Sequence, residues 1–341
     1  MNLTFIAELV IIGFTFFMLI NASAILVLAE RKIMGFMQQR YGPYLVGPHG
    51  ALQPLADILK LLFKEELRPK GADKWLFTLA PILSVTAAFA AFSTVPFGAE
   101  TTFFGLLKEP IKLGVTDVNV GLLVVLAITS MGVYGIVLAG WSSNSKYSLF
   151  GGLRASASMI SYELSYATAM ASVVLLAGSL SIRDVVDAQS GYWLGFIPKW
   201  FLFLQPFGFI IYAIAGVAET NRAPFDFPEA EQELVAGYNT EYSSVRFALF
   251  PQAEYINMAT MSAVATDLYL GGWHTPLIPD AYGWIGFLLK VGFLLFVYIW
   301  TRWTLPRYRY DQLMHFGWKF LLPASVLNLL ATAALYLYLN G

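Results

Sequence analysis

Eight stretches of about twenty apolar residues recur along this 341-residue chain, at about 3–29, 76–97, 119–141, 157–179, 200–219, 252–272, 282–303 and 319–339. A helix rising 1.5 Å per residue covers the roughly 30 Å of hydrocarbon in a bilayer with such a length. Lipid offers no partner to backbone N–H and C=O groups, so only helices or closed barrels cross it. None of the eight stretches alternates with period two, which selects helices. The expected fold is therefore all-α: a polytopic membrane protein with about eight transmembrane helices.

Composition agrees. Charged residues make up 13% of the chain, about half the share of an ordinary soluble domain, and the mean hydropathy is +0.63. A soluble chain of this length could fill a core but could not cover its outside. Aromatic residues reach 16%, as expected where side chains meet lipid and headgroups. A net charge of −1 supplies no basic field for nucleic acid. With no cysteine and only His49, His274 and His315, thiolate-held iron–sulfur clusters, covalent c-type haem and cysteine zinc sites are excluded. All three histidines fall in or beside connecting segments, so a bis-histidine haem is excluded as well. Electron chemistry must come from a partner.

Basic residues set the orientation. Sixteen of the 21 lysines and arginines fall in the segments that follow spans one, three, five and seven, four fall on the other side, and Lys290 lies within span seven. The bias places the sixteen in the cytoplasm and both termini outside. No Lys or Arg precedes Arg31, so the basic region of a cleaved signal is missing and residues 3–29 are expected to remain as the first helix. Two cytoplasmic connections are long. Residues 30–75 hold an amphipathic helix beginning near Leu52, with Pro54 in its first turn. Leu52, Leu55, Leu59, Leu62 and Phe63 form its apolar stripe, and Asp57, Lys60 and Lys64 share another face. The pattern fits a helix in the interface plane and equally one packed on the underside of the bundle. The 220–251 connection differs in being acidic.

Polar residues at membrane depth are costly, and so they point to chemistry. Between Glu219 and Glu241 stand Glu219, Asp226, Glu229, Glu231, Glu233 and Glu241 against Arg222 alone. Carboxylates crowded in this way repel one another and some are pushed toward the protonated form. A solvated acidic loop is the plain explanation, while the embedded Pro224, Phe225, Phe227 and Pro228 argue for an ordered, packed segment. Glu163 lies about 10 Å from the inner surface in span four, Glu219 ends span five and Glu254 begins span six. Chains of intramembrane carboxylates make proton relays. The alternatives are interface residence for Glu219 and Glu254, and a neutral hydrogen-bonded carboxyl for Glu163. Interface residence accounts for Glu8. Lys290 either snorkels outward or pairs with an internal carboxylate. The Glu30-Arg31-Lys32 cluster and Arg40 anchor the first helix in the cytoplasm, or else its positive side chains pair with the acidic loop and polarise a bound carbonyl.

Five strings carry a family resemblance: AERKIMGFMQQRYGP (29–43), VGPHGALQPLADILKLLFKEE (46–66), AGWSSNSKYSLFGGLRASASMISYE (139–163), AETNRAPFDFPEAEQELVAGYNTEYS (218–243) and LPRYRYDQLMHFGWKFLLP (305–323). Together and in order they resemble the H subunit family of bacterial NADH:quinone oxidoreductase (complex I), the counterpart of mitochondrial NADH dehydrogenase subunit 1. The resemblance implies one transmembrane domain over 1–341 in the bacterial inner membrane, termini on the periplasmic side, with loops 30–75 and 220–251 forming part of a quinone chamber. It implies that Arg31, Arg40, Arg222, Phe225 and Asp226 line or shape that chamber and that the amphipathic helix borders its lipid entrance. Asp226, Glu229, Glu231 and Glu233 lie along the path from chamber to membrane, and Glu163, Glu219 and Glu254 continue it as a proton relay. Quinone is then the substrate, no cofactor is bound by this chain, and flavin and iron–sulfur clusters sit in partner subunits. The implied partners are the peripheral-arm subunits carrying the terminal cluster, small membrane subunits, antiporter-like subunits and lipid. The related membrane subunit of proton-pumping nickel–iron hydrogenases is the main alternative. A secondary transporter is another, although repeated halves and broken midplane helices are not seen in the sequence.

Overall fold

A computed structural model of the chain describes residues 3–101, 110–193, 195, 197–226, 236–276 and 278–340. Its helices are α1 (Leu3–Met37), α2 (Gln53–Phe63), α3 (Lys74–Phe92), α4 (Gly121–Ser142), α5 (Lys146–Ala177), α6 (Ile182–Asp187), α7 (Phe201–Leu204), α8 (Pro206–Glu219), α9 (Ser244–Tyr269), α10 (Gly283–Thr304), α11 (Tyr310–Phe316) and α12 (Leu322–Asn340). Two short antiparallel pairs, Glu100–Thr101 with Ile111–Lys112 and Tyr192–Trp193 with Ile197–Pro198, are the sheet among the described residues. The chain is an all-α, multi-pass membrane protein.

Six helical stretches among the described residues are long and apolar enough to cross a bilayer: Thr4–Met37, Lys74–Phe92, Gly121–Ser142, Lys146–Ala177, Asp280–Thr304 and Tyr310–Tyr338. The other two expected spans are helical but differ for separate reasons. The 200–219 stretch breaks at Gln205, which leaves α8 only 14 residues long. Pro206 supplies no N–H there, and the Gln205 side chain takes a hydrogen bond from Ser172 Oγ at 2.9 Å and donates to Thr332 Oγ1 at 3.0 Å. Helix α9 is 26 residues long but poor in apolar surface because it runs through the middle of the bundle, against α1, α3 and α10. Nearly every residue from Ala253 to Leu270 is buried, and Thr260, Ser262 and Thr266 return their hydroxyls to the carbonyl four residues back.

Burial is inverted relative to a soluble domain. Phe14 and Phe17 of α1, Leu288 and Phe293 of α10, and Leu327 and Leu330 of α12 are exposed, whereas Tyr162, Tyr166, Tyr212 and Tyr269 lie fully inside. Helix ends are set locally. Asp73 caps α3 by accepting from the N–H groups of Trp75 and Leu76, and Gly178 ends α5 at φ +72°. Helix α2 begins where the sequence placed it, with Pro54 in the first turn. Asp57 turns inward to meet Arg31 of α1 at 2.6 Å, while Lys60 and Lys64 are exposed and Leu55, Leu59, Leu62 and Phe63 face outward.

Successive long helices run in opposite directions, so the ends of α1, α4, α8 and α10 gather with the starts of α3, α5 and α9 at one end of the bundle, called here the basic end. Small residues allow the close crossings. A Cβ on Gly140 of α4 would lie 2.6 Å from the Ser148 carbonyl oxygen and 3.3 Å from Gly152 Cα in α5. Gly140→Ala is expected to cost about 1–3 kcal/mol through overpacking and to lower the melting temperature of the detergent-extracted protein. Gly13→Ala, with open space around the added methyl, is expected to leave it unchanged.

Candidate functional site

A buried charge cluster closes the basic end. Glu30 in the last turns of α1 is 6% exposed and pairs with Arg302 from the end of α10. Tyr255 of α9 donates its hydroxyl to Glu30 Oε2 at 2.7 Å. Arg222, in the segment after α8, stands between two carboxylates: Nη1 is 3.8 Å from Glu30 Oε2 and Nη2 is 3.4 Å from Glu254 Oε2. Its guanidinium lies 4.1 Å above the Tyr255 ring. Tyr238 donates to Glu254 Oε1 at 3.1 Å. Two arginines and two glutamates thus meet from α1, α9, α10 and the segment behind α8.

Deeper in the bundle lie two more carboxylates. Glu163 of α5 accepts a hydrogen bond from Ser130 of α4. Glu219, the last residue of α8, is 4% exposed, and neither carboxyl oxygen has a hydrogen-bond partner among the described residues. Glu163 acts on Glu219 electrostatically. Glu219 and Glu254 line the same small space of about 20 Å³ together with Asn221, Tyr238 and Asn257. A volume of this size admits about one water molecule. Of the three relay candidates, Glu219 and Glu254 share this space, and Glu163 stands on α5, which packs against α8.

The described residues that follow α8, through Asp226, are packed against the bundle. Asn221 adopts φ +50°, and the Phe225 ring lies 5.5 Å from Tyr162 and stacks on Tyr308 at 6.1 Å. Asp226 is buried and meets Arg307 Nη2 at 3.3 Å. Glu229, Glu231 and Glu233 lie outside the described residues. Gly237 is tucked against Gly151 of α5, so close that a Cβ on Gly151 would sit 2.6 Å from Gly237 Cα. Tyr242 stacks on Phe77 with ring centres 4.0 Å apart, and burial pushes its hydroxyl up to about 12.

The two arginines of the first connection stand apart from this cluster. Arg31 is half exposed and paired with Asp57, and Arg40 is exposed with its Nε donating to Gln38. Sequence reasoning missed Arg302, Tyr255, Tyr238 and Ser130, and it gave Glu30 an anchoring role only. A signal existed: Glu30 and Arg302 are opposite charges near the C-terminal ends of two spans that run in the same direction. Glu254 was found, but not its partner Arg222 as such.

Comparison with known proteins settles the family. The family description NADH dehydrogenase matches residues 9–333. The chain belongs to the NADH dehydrogenase family. Its relatives include H subunit 1 of the NADH-quinone oxidoreductase of Geobacter sulfurreducens, 52% identical over 332 residues that cover 95% of this chain and 92% of the relative. H subunit 1 of the NADH-quinone oxidoreductase of Geobacter metallireducens is 50% identical over 94% of each chain. The H subunit of the NADH-quinone oxidoreductase of Syntrophotalea carbinolica is 48% identical over 97% of each. The five strings that resemble the family lie within the matched residues. Among the described residues of this NADH dehydrogenase family chain, no group of His, Asp and Glu is arranged to hold a metal ion.

The cluster makes a graded prediction. Arg222→Met leaves two buried carboxylates short of a cation and should destabilise the protein by about 3–5 kcal/mol. Arg31→Met breaks a half-exposed pair and should cost at most about 1 kcal/mol. Melting of the two variants beside the parent in the same detergent checks the order.

Proposed function

We propose that this chain is the membrane subunit of a proton-pumping NADH:quinone oxidoreductase, forms the membrane side of its quinone chamber, and passes the effect of quinone reduction to a carboxylate relay. The observation that carries the reading is the arrangement Glu163–Glu219–Glu254: intramembrane carboxylates in succession, the middle one with no fixed hydrogen bond, the last held by Arg222.

The chamber would be shaped by Arg31, Arg40, Arg222, Phe225 and Asp226, with Glu229, Glu231 and Glu233 on the path inward. The outward apolar face of α2 would border the entrance from lipid. Quinone approaches from the bilayer, and its reduction draws in electrons and protons. Electrons come from a partner, because the chain has no cysteine to hold a cluster. The terminal iron–sulfur cluster and the flavin would belong to peripheral-arm subunits that dock on the basic end. Negative charge appearing on the quinone beside Arg222 weakens its hold on Glu254, and Glu254 and Glu219 change protonation in response. A single water in the space they share would complete the hydrogen-bonded path. From Glu163 the change would pass to small membrane subunits and antiporter-like subunits. The setting is the bacterial inner membrane, with both termini periplasmic and about eight spans, and the isolated chain would have no activity.

Two experiments test this. Tagged chain extracted in mild detergent should bring down a large flavin- and cluster-containing particle that reduces quinone with NADH and is blocked by quinone-site inhibitors. A nickel–iron hydrogenase in its place, or a lone chain from a well-preserved extract, would overturn the assignment. Within that particle, Glu219→Gln and Glu163→Gln should impair coupled proton pumping while NADH oxidation by an artificial acceptor continues. Normal pumping in both variants would exclude the relay.

A further inference from the structure

Helix α9 carries a second buried carboxylate at the end away from Glu254. Asp267 lies thirteen residues further on, about 20 Å along the helix. It is fully buried, and neither carboxyl oxygen has a hydrogen-bond partner among the described residues. It also sits in the last turn of α9, where the helix dipole disfavours an anion. The charges acting on it are Lys290 of α10 and Arg183 of α6.

The lysine explains why the carboxyl stays open. Lys290 Nζ donates to the carbonyls of Leu270 at 2.7 Å, Gly272 at 2.8 Å and His274 at 2.8 Å. Three N–H donors belong to an ammonium, so its hydrogens are committed to the frayed end of α9 and none goes to Asp267. Gly271 at φ +69° and Gly272 at φ +49° turn these carbonyls toward the amine. A Cβ on Gly272 would lie 2.9 Å from Asp267 Oδ1, so the glycine also leaves room for the acid. Gln189 fixes the turn by donating to the Asp267 carbonyl at 2.7 Å and accepting from Gly271 N at 3.0 Å. Arg183 lies over Trp273 with Asp117 4.0 Å away, and its Nε is likewise without a hydrogen bond. An acid kept for structure is hydrogen-bonded to its cation. This one has two cations acting on it and no hydrogen bond to its carboxyl oxygens among the described residues.

A way out lies next to it. The Lys290 amine is 4.6 Å from the Trp200 ring, and Trp200, Gln189 and His274 all line a cavity of about 400 Å³. His274 stands in its wall with Nδ1 3.0 Å from Asp280 and Nε2 3.6 Å from Asp187. One layer of side chains separates the Asp267–Lys290 pair from a space large enough for several waters.

We propose that Asp267 and Lys290 form a proton-exchange site at the end of the bundle opposite Glu219 and Glu254, which reaches the aqueous phase through the His274 cavity. The step is one proton onto the Asp267 carboxylate and the same proton off again to water in the cavity. Lys290 remains an ammonium and holds the site near neutrality when the acid is ionised. The proposal rests on the proton-pumping reading above.

The test uses the intact complex. Infrared difference spectra between oxidised and NADH-reduced particles should contain an aspartic carboxyl C=O band that moves in heavy water and on ¹³C-aspartate labelling. In Asp267→Asn that band should be lost, and protons moved per NADH in vesicles should fall while artificial-acceptor activity is kept. Absence of any labelled carboxyl band in the parent overturns the proposal without a variant, should the variant not assemble. A parent that pumps, together with an Asp267→Asn form that pumps equally and keeps the band, overturns it while leaving the proposed function standing. A parent that moves no protons with NADH and quinone defeats the proposed function first.

Discussion

The Arg222 guanidinium, held between Glu30 and Glu254, is the contact on which the basic end of the bundle depends. Its two carboxylates come from α1 and α9, and Glu30 draws in Arg302 from α10. Taking any one of these charges out of water costs several kcal/mol, which only opposite charges held close by can offset. No single helix supplies a neutral set, so all must arrive together. That requirement fixes where α1, α9 and α10 finish or begin relative to α8, whose next residues carry Arg222. The hydroxyls of Tyr255 and Tyr238 and the face of the Tyr255 ring satisfy what the ion pairs leave over.

Such a cluster needs a dry, rigid wall, and the sequence of α9 provides it. A helix at the centre of a membrane bundle touches other helices on every side, so it gains little from large apolar residues and much from small ones that allow close approach. Ala253, Ala259, Ala263 and Ala265 serve that need, and the interspersed Thr and Ser hydroxyls are satisfied within the helix. Polarity that would argue against a membrane span in isolation follows here from central position. The lipid-facing work falls to α1, α10 and α12.

The same logic explains what could be read from the sequence. Long apolar runs report on lipid contact, so α1, α3, α4, α5, α10 and α12 were legible in it. The amphipathic pattern of α2 was legible too, but its orientation was decided by one side chain, Asp57, reaching Arg31. The break at Gln205 was not legible, because the partners that make it tolerable, Ser172 and Thr332, lie far away in sequence. Single carboxylates within spans announced Glu163, Glu219 and Glu254. Their pairing was hidden, since a cation such as Arg302 at a span end looks like any interfacial anchor until three dimensions bring it to Glu30. Lys290 was recognised as either a snorkelling or a paired residue, and its use as a cap for three carbonyls lay outside both.

The choice of cations constrains how the inner cluster responds to charge. Arginine does not lose its proton in proteins, so Arg222 and Arg302 contribute fixed positive charge whatever happens nearby. In the proposed relay, proton uptake and release would fall on carboxylates and not on these arginines. A proton added to Glu30 or Glu254 makes the cluster more positive by one charge. A new anion beside it favours that protonated state, and removal of the anion favours return. Among the described residues Glu219 has no hydrogen bond to its carboxyl oxygens, so in the proposed relay its state would follow its neighbours. In the relay proposed above, the arginines would set the field and Glu219 would be the group that answers it.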